Sequence, residues 1–225
     1  MHDTAMLNGE RFFRTYIGER QVKVADIGAQ DVNGSLRDVA PANAEYIGVD
    51  FVAGNGVDVV LEDPYVLPFD DASLDVVLSS SCFEHSEFFW LLFLEILRVL
   101  KPEGLFYLNV PSNGVFHRYP VDCWRFYPDS GIALVNWGKR NGYDPLLLES
   151  YTSNQRGDVW NDFVCVFLRD KALAGSYPDR ITSGIYDFTN GLSYPDLQKF
   201  SNETELPEDL KNRYVKRLRK RLFSK

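Results

Sequence analysis

Cysteine is scarce in this chain: three among 225 residues, at positions 82, 123 and 165. An odd number without metal-like spacing argues against a disulfide framework and against a zinc site. The three read as reduced thiols of a cytoplasmic protein. Positive charge is also short, with 24 Lys and Arg against 32 Asp and Glu and a formal net charge of −8. That balance excludes nucleic acid as a bulk partner, because phosphate binding needs a basic surface. Long apolar runs are missing too. The longest, Phe88 to Leu100, contains Glu95 and Arg98 and is too short to span a bilayer. The first ten residues lack the apolar core of a secretory signal. No stretch carries the three-glycine dinucleotide fingerprint, which lowers the case for NAD or FAD. What remains is 45% hydrophobic and 25% charged, the make-up of a soluble globular protein. Its length fits one domain of ordinary size with an appendage.

The stretch that is there, and around which the rest is arranged, is Val22-Lys-Val-Ala-Asp26-Ile-Gly28-Ala29-Gln30-Asp-Val-Asn-Gly34. It reads as a buried strand running into a glycine-bearing loop, with a helix expected from Ser35. In a doubly wound sheet a ligand sits outside the carboxyl ends of the strands, which makes this loop a cofactor-site candidate. A second apolar strand, Glu45-Tyr-Ile-Gly-Val-Asp50, ends in a carboxylate roughly 20 residues further on, where such folds place the acid that grips a ribose. Further strands are expected at 57–61, 74–80, 104–110, 145–150 and 162–169. Helices are expected at 4–20, 34–40, 86–100 and 130–142. The alternation gives an α/β fold: a doubly wound, mainly parallel, seven-stranded sheet covered on both faces. The helix over 86–100 is apolar on every side in its first half, so it must be buried all round or meet a partner, as a dimer contact or as a lid.

Leu61-Glu62-Asp63-Pro64-Tyr65, Ser73-Leu-Asp75 through Ser81, Glu84-His85, Leu94 through Gly104 and Leu105 through Pro111 follow in order. This succession, over roughly residues 20–112, resembles the class I S-adenosylmethionine-dependent methyltransferases. The resemblance implies S-adenosyl-L-methionine as cofactor. It places Asp26 near the cofactor's ammonium, with Gly28, Ala29 and Gln30 as the loop around the methionine end and Asp50, followed by Phe51, on the ribose hydroxyls. Glu62, Asp63, Pro64 and Tyr65 fall at the adenine, and Ser81 beside the cofactor. Two departures stand out. Pro64 has no amide hydrogen to offer the adenine ring, so Tyr65 supplies that donor or packs on the ring. The loop Ala29–Asn33 also lacks the family's glycine-rich continuation.

The stretch 111–130 carries His117, Arg118, Tyr119, Asp122, Trp124 and Arg125. Loops on a rigid scaffold are where binding residues gather. The pattern resembles a methyltransferase subgroup (type 11-like) met alongside surface-polysaccharide synthesis, and that resemblance makes the acceptor a glycan or activated-sugar hydroxyl. Arg118, Tyr119, Asp122, Trp124 and Arg125 are the candidate acceptor contacts, with Asp122 and Arg125 equally readable as an ion pair that holds the loop shut. His117 is the first candidate base and His85 the second, since imidazole titrates near neutral pH. A small phenol, quinone or amine remains an alternative acceptor, and a non-catalytic regulatory protein of the same fold an alternative role. Glu84, His117 and Asp122 offer metal ligands in principle, but their spacing is not diagnostic and no metal is expected. The methyltransferase domain is expected over 1–170. Residues 171–225 read as an irregular extension ending in a basic amphipathic helix over 208–225, suited to an anionic membrane surface or simply solvated.

Overall fold

In the computed structural model, residues 2–157 and 159–205 are described. The basic segment expected to be helical lies outside them. Nine strands form one sheet: β1 Val22–Ile27, β2 Ala44–Asp50, β3 Val59–Val60, β4 Leu74–Ser80, β5 Leu100–Pro111, β6 Leu146–Ser153, β7 Asp162–Leu168, β8 Phe188–Ser193 and β9 Asp196–Ser201. Their order is β3-β2-β1-β4-β5-β7-β6-β8-β9. The first five run parallel, and β7 is antiparallel to both β5 and β6. The sheet therefore changes direction of growth between β1 and β4, and the crevice at their carboxyl ends is where a doubly wound fold binds its ligand.

Alternating side chains along each strand feed two cores. On one face Ala25, Ile27, Val77, Phe106 and Leu108 pack with helices α2 (Phe89–Val99) and α3 (Ser130–Arg140). On the other, Val24, Val76, Leu78 and Tyr107 meet Phe12, Phe13, Tyr16 and Ile17. Those four belong to α1 (Asp3–Phe12) and the π-helical turn Phe13–Ile17 that continues it. The N-terminal helix thus covers the sheet along most of its length, and its first residues reach the crevice. In α2, Leu92, Phe93, Ile96 and Leu97 are buried. On its other side Arg98 pairs with Glu95 and ties down the carbonyls of Leu67 and Phe69. Its apolar first turn is met in part within the chain, where Phe89 packs on Trp124 and Phe126 and Trp137 donates its indole N–H to the Trp90 carbonyl at 3.0 Å, while Phe88 and Leu91 stay exposed.

Two expectations need correction. The helix from Ser35 is only a 3-10 turn, Leu36–Val39, capped by the Ser35 hydroxyl. Pro41 forces Ala40 into an extended conformation (ψ 140°) and stops the turn there. Among the described residues the sheet also has nine strands rather than seven, because residues read as irregular extension form β8, which pairs onto β6, and β9, which pairs onto β8.

Candidate active site

Two cavities open at the carboxyl ends of β1, β2 and β4, on either side of the turn 81–86. One, of about 200 Å³, is lined by Gly28, Asp50, Phe51, Leu61, Pro64, Tyr65, Cys82, His85 and Leu92 among others. The second, of about 360 Å³, is lined by His2, Asn33, Ser81, Glu84, Pro111, His117 and Trp160. Ser81 enters the turn with φ +53°, a left-handed conformation that sends the chain sharply off the strand end.

The first cavity fits a nucleoside. Its floor is Asp50, 7% exposed at the last position of β2. The carboxylate accepts the Gln30 N–H at 3.2 Å and the Val52 N–H at 3.1 Å, which fixes it beside the glycine loop. Gly28 has φ +86°, and a Cβ there would lie 2.6 Å from the Cβ of Cys82, so glycine is what lets the β1 loop close on the β4 turn. Phe51, 48% exposed, stands with Pro64 and Tyr65 as an apolar wall for a flat ring. Ala29 is buried in the loop beneath. Glu62 and Asp63 are exposed and line neither cavity. Asp63 instead accepts the Tyr65 N–H at 2.8 Å, so the donor expected to serve an adenine is already engaged. Tyr65 packs against Phe88 and accepts its N–H, which leaves the packing role for its ring.

Asp26 lines neither cavity. It is 3% exposed and accepts the Tyr46 hydroxyl at 2.6 Å. Burial pushes its carboxyl up to about 6, against the opposing pull of Tyr46 and Arg37. Since the unfolded value is near 4, the folded state holds this proton more tightly. The resulting stabilisation is full below about pH 4 and is lost as pH rises through 6. Asp26→Asn should therefore match the wild type in melting temperature at pH 4. Above pH 7 it should exceed the wild type by a constant margin, worth on the order of 2–3 kcal/mol. A gap independent of pH in a thermal-unfolding series would exclude a raised Asp26.

The loop 115–126 folds back over the turn. The Glu84 carbonyl accepts the N–H groups of Cys123 and Trp124, and the Tyr119 hydroxyl donates to Gln30 Oε1 at 2.7 Å, clasping the glycine loop. Pro120 and Val121 thereby reach the smaller cavity. Asp122 accepts two bonds from Arg125, at 2.5 and 2.9 Å, and one from the His117 N–H at 2.7 Å. That neighbouring guanidinium holds its carboxyl down at about 2. Trp124 donates to the Ser86 carbonyl and packs on Phe89 and Trp90. Arg118 is exposed. Of the expected acceptor contacts, then, Asp122 and Arg125 satisfy each other within the loop, Trp124 is held by the turn and α2, Tyr119 clasps the glycine loop, and Arg118 lines neither cavity. The ion-pair reading of Asp122 and Arg125 is the one the geometry supports.

His117 lines the larger cavity, and His85 lines the smaller one with its ring edge-on to His117 at 4.9 Å. Glu84 lies within 4.8 Å of both by its carboxyl oxygen; it is 1% exposed, and burial pushes its carboxyl up to about 8. Sequence reasoning did not find His2 and Trp160. His2 meets the fully buried Asp162 at 2.7 Å, and the two rings stack at 6.3 Å. These contacts join positions some 160 residues apart and left no local signal.

Residues 12–108 match the family model described as a methyltransferase domain. Over that stretch the chain is similar to methyltransferase domains. The floor carboxylate and apolar wall of the smaller cavity fit a nucleoside such as that of S-adenosyl-L-methionine. No curated protein sequence matches the chain. Solved structures share the domain's fold. The Burkholderia thailandensis 1,6-didemethyltoxoflavin-N1-methyltransferase, solved with its acceptor and S-adenosylhomocysteine, is 17% identical with a TM-score of 0.56, over 75% of this chain and 80% of its own. A putative sarcosine dimethylglycine methyltransferase from Galdieria sulphuraria is 14% identical (TM-score 0.53; 74% of this chain, 84% of that one). The complex of the Haloferax volcanii Trm112 activator with a putative methyltransferase gives 18% and 0.52, over 73% of this chain and 89% of that one. None of the described helices is long and apolar enough to cross a membrane.

Proposed function

We propose that the chain is an S-adenosylmethionine-dependent methyltransferase and that it methylates a sugar hydroxyl, of a surface glycan or of an activated sugar. The observation that carries this reading is the make-up of the acceptor cavity. Asn33, Ser81, Glu84 and His117 offer it hydrogen-bonding groups, and the Trp160 indole offers one flat apolar wall. A sugar needs both, polar partners for its hydroxyls and an aromatic face for its C–H surface.

The bound cofactor supplies an electrophilic methyl carbon on a sulfonium. The domain's own contribution is position: Asp50 and the Phe51–Tyr65 wall anchor the nucleoside, and the turn 81–86 sets the distance to the acceptor. The acceptor's hydroxyl oxygen would take that methyl group, S-adenosylhomocysteine would leave with the electron pair of the broken C–S bond, and the hydroxyl proton would pass to His117 or to water. His117 is the group on the acceptor wall placed to handle that hydroxyl. His117→Ala should lower turnover by about 10²–10⁴-fold, and a loss under threefold in steady-state rates would remove it from the chemistry.

The reading is tested by an acceptor screen that follows S-adenosylhomocysteine release with nucleotide sugars, surface oligosaccharides, phenols, quinones and amines. Turnover confined to sugars supports it; turnover confined to phenols, quinones or amines replaces it.

A further inference from the structure

Glu84, His85 and His117 each offer one ligand atom, and these atoms all lie within 4.8 Å of one another. The geometry points to a divalent-cation site here, of the manganese-to-zinc class, whose open face looks into the acceptor cavity and takes the acceptor's hydroxyl. The role given to the hydroxyl rests on the sugar reading above; the site itself does not.

Three observations carry it. Glu84 is buried, and its Oε2 has no hydrogen-bond partner among the described residues. A buried carboxyl oxygen without a partner is costly, and a cation that displaces the proton would satisfy it. Among the described residues the guanidinium that acts on Glu84, that of Arg125, is committed to Asp122 at 2.5 Å. The two imidazoles are also prepared as ligands. His85 has its Nδ1 on the Val121 carbonyl, and His117 has its Nδ1 3.1 Å from the Val115 carbonyl. The latter contact is shorter than the 3.5 Å to Arg125 Nη2, so the carbonyl sets the tautomer. A backbone acceptor on Nδ1 fixes the hydrogen there and leaves Nε2 as the lone-pair donor, the usual outer-shell arrangement around a metal. Finally, His85 Nε2 stands 3.8 Å from Glu84 Oε1, a spacing that two ligands of one ion can close with a small adjustment.

The donor set narrows the ion. Two nitrogens and a carboxylate suit manganese, iron or zinc better than calcium or magnesium, which favour all-oxygen shells. Three protein ligands leave positions for acceptor oxygens, as catalytic rather than structural sites do. Asp122, weighed from sequence as a ligand, is not one, because Arg125 has taken it. His85 stands in its place.

The test is calorimetry of the full chain, stripped with EDTA, against MnCl2, ZnCl2 and CaCl2, with Trp160 fluorescence as a second readout. The Trp160 ring lies 5.1 Å from that of His117. One Mn2+ or Zn2+ per chain is expected, with quenching by Mn2+ and little heat from Ca2+. Glu84→Gln and His85→Ala should each weaken binding beyond the 10–100-fold that an outer-shell change costs, while Cys123→Ser should bind as the wild type does. Absence of stoichiometric binding by the wild type overturns the site, as does unchanged affinity in both ligand variants. If either ligand variant does not fold, the wild-type stoichiometry and the Co2+ visible spectrum decide instead, and an absorption spectrum without d–d bands counts against it. Undiminished sugar methylation in EDTA, with no cation bound, removes the metal and leaves the acceptor reading intact. Cation binding without methylation of any sugar does the reverse.

Discussion

Asp50→Ala is expected to weaken S-adenosylmethionine binding by at least a hundredfold in calorimetry. A carboxylate that accepts both hydroxyls of a ribose makes two charge-assisted bonds, each worth about 1.5–3 kcal/mol, so removing both costs roughly 10²–10⁴ in affinity. The side chain has a second duty, since it accepts the Gln30 and Val52 amides and so shapes the loops on either side of the crevice. Asp50→Asn separates the two. It keeps one acceptor oxygen for the loop and loses the charge, and should bind with intermediate affinity. Thermal unfolding controls for damage to the sheet: β2 is paired along β1 through Val49, so Asp50→Ala should unfold within a few degrees of the wild type. Wild-type affinity in a folded Asp50→Ala protein would remove the ribose assignment.

Asp50 was legible in the sequence for a physical reason. A parallel strand covered on both faces reads as an apolar run, and a carboxylate at its end is conspicuous. The same property exposed β1, β4 and the Leu105–Val110 stretch of β5. What could not be read was pairing between distant residues. In β8, the Thr189-Asn190-Gly191 stretch, with Asn190 at φ +49°, looks like a loop and becomes a strand only because β6 is there to pair with it. The Ser35 helix has an acceptable start, and Pro41 cuts it off. The stretch 117–125 shows the limit most clearly. Its residue types suited a sugar, yet Asp122 and Arg125 close on each other three residues apart, and Trp124 turns to α2. Side-chain type was visible, and the partner was not. The converse holds for the acceptor wall, where His2 comes from the start of the chain and Trp160 from the β6–β7 connection. Glu84 and His85 were visible as a pair, but their convergence with His117 depends on the whole loop folding back over the turn.

The other large effect concerns Glu149, which reading along the chain gave no reason to single out. It is fully buried in β6 and accepts four bonds. Oε1 takes the Tyr16 hydroxyl at 2.6 Å and the Ile181 N–H at 2.7 Å; Oε2 takes the Thr182 N–H at 3.0 Å and its hydroxyl at 2.8 Å. One carboxylate therefore joins three parts of the fold: the turn that continues α1, the central sheet, and the segment leading into β8. Thr182 passes the connection on to Ser193 at 2.9 Å. Glu149→Ala leaves four donors stranded in a closed site, each costing about 1–3 kcal/mol if unmet. Even allowing for water entry, a loss of about 4 kcal/mol is expected, or about 10–15 °C in melting temperature for a domain of this size. Tyr16→Phe removes only one of the four and should cost about 1 kcal/mol. The variant should also lose activity before it unfolds, because α1 carries His2 to the acceptor wall and Glu149 holds the far end of that segment. Hydrogen exchange gives the sharpest check: amides of α1 and of β8 should lose protection together in Glu149→Ala while those of β1 and β4 keep theirs. If protection falls evenly across the sheet, or the melting temperature stays within 2–3 °C of the wild type, the carboxylate is not what binds the N-terminal segment and the β8–β9 addition to the sheet.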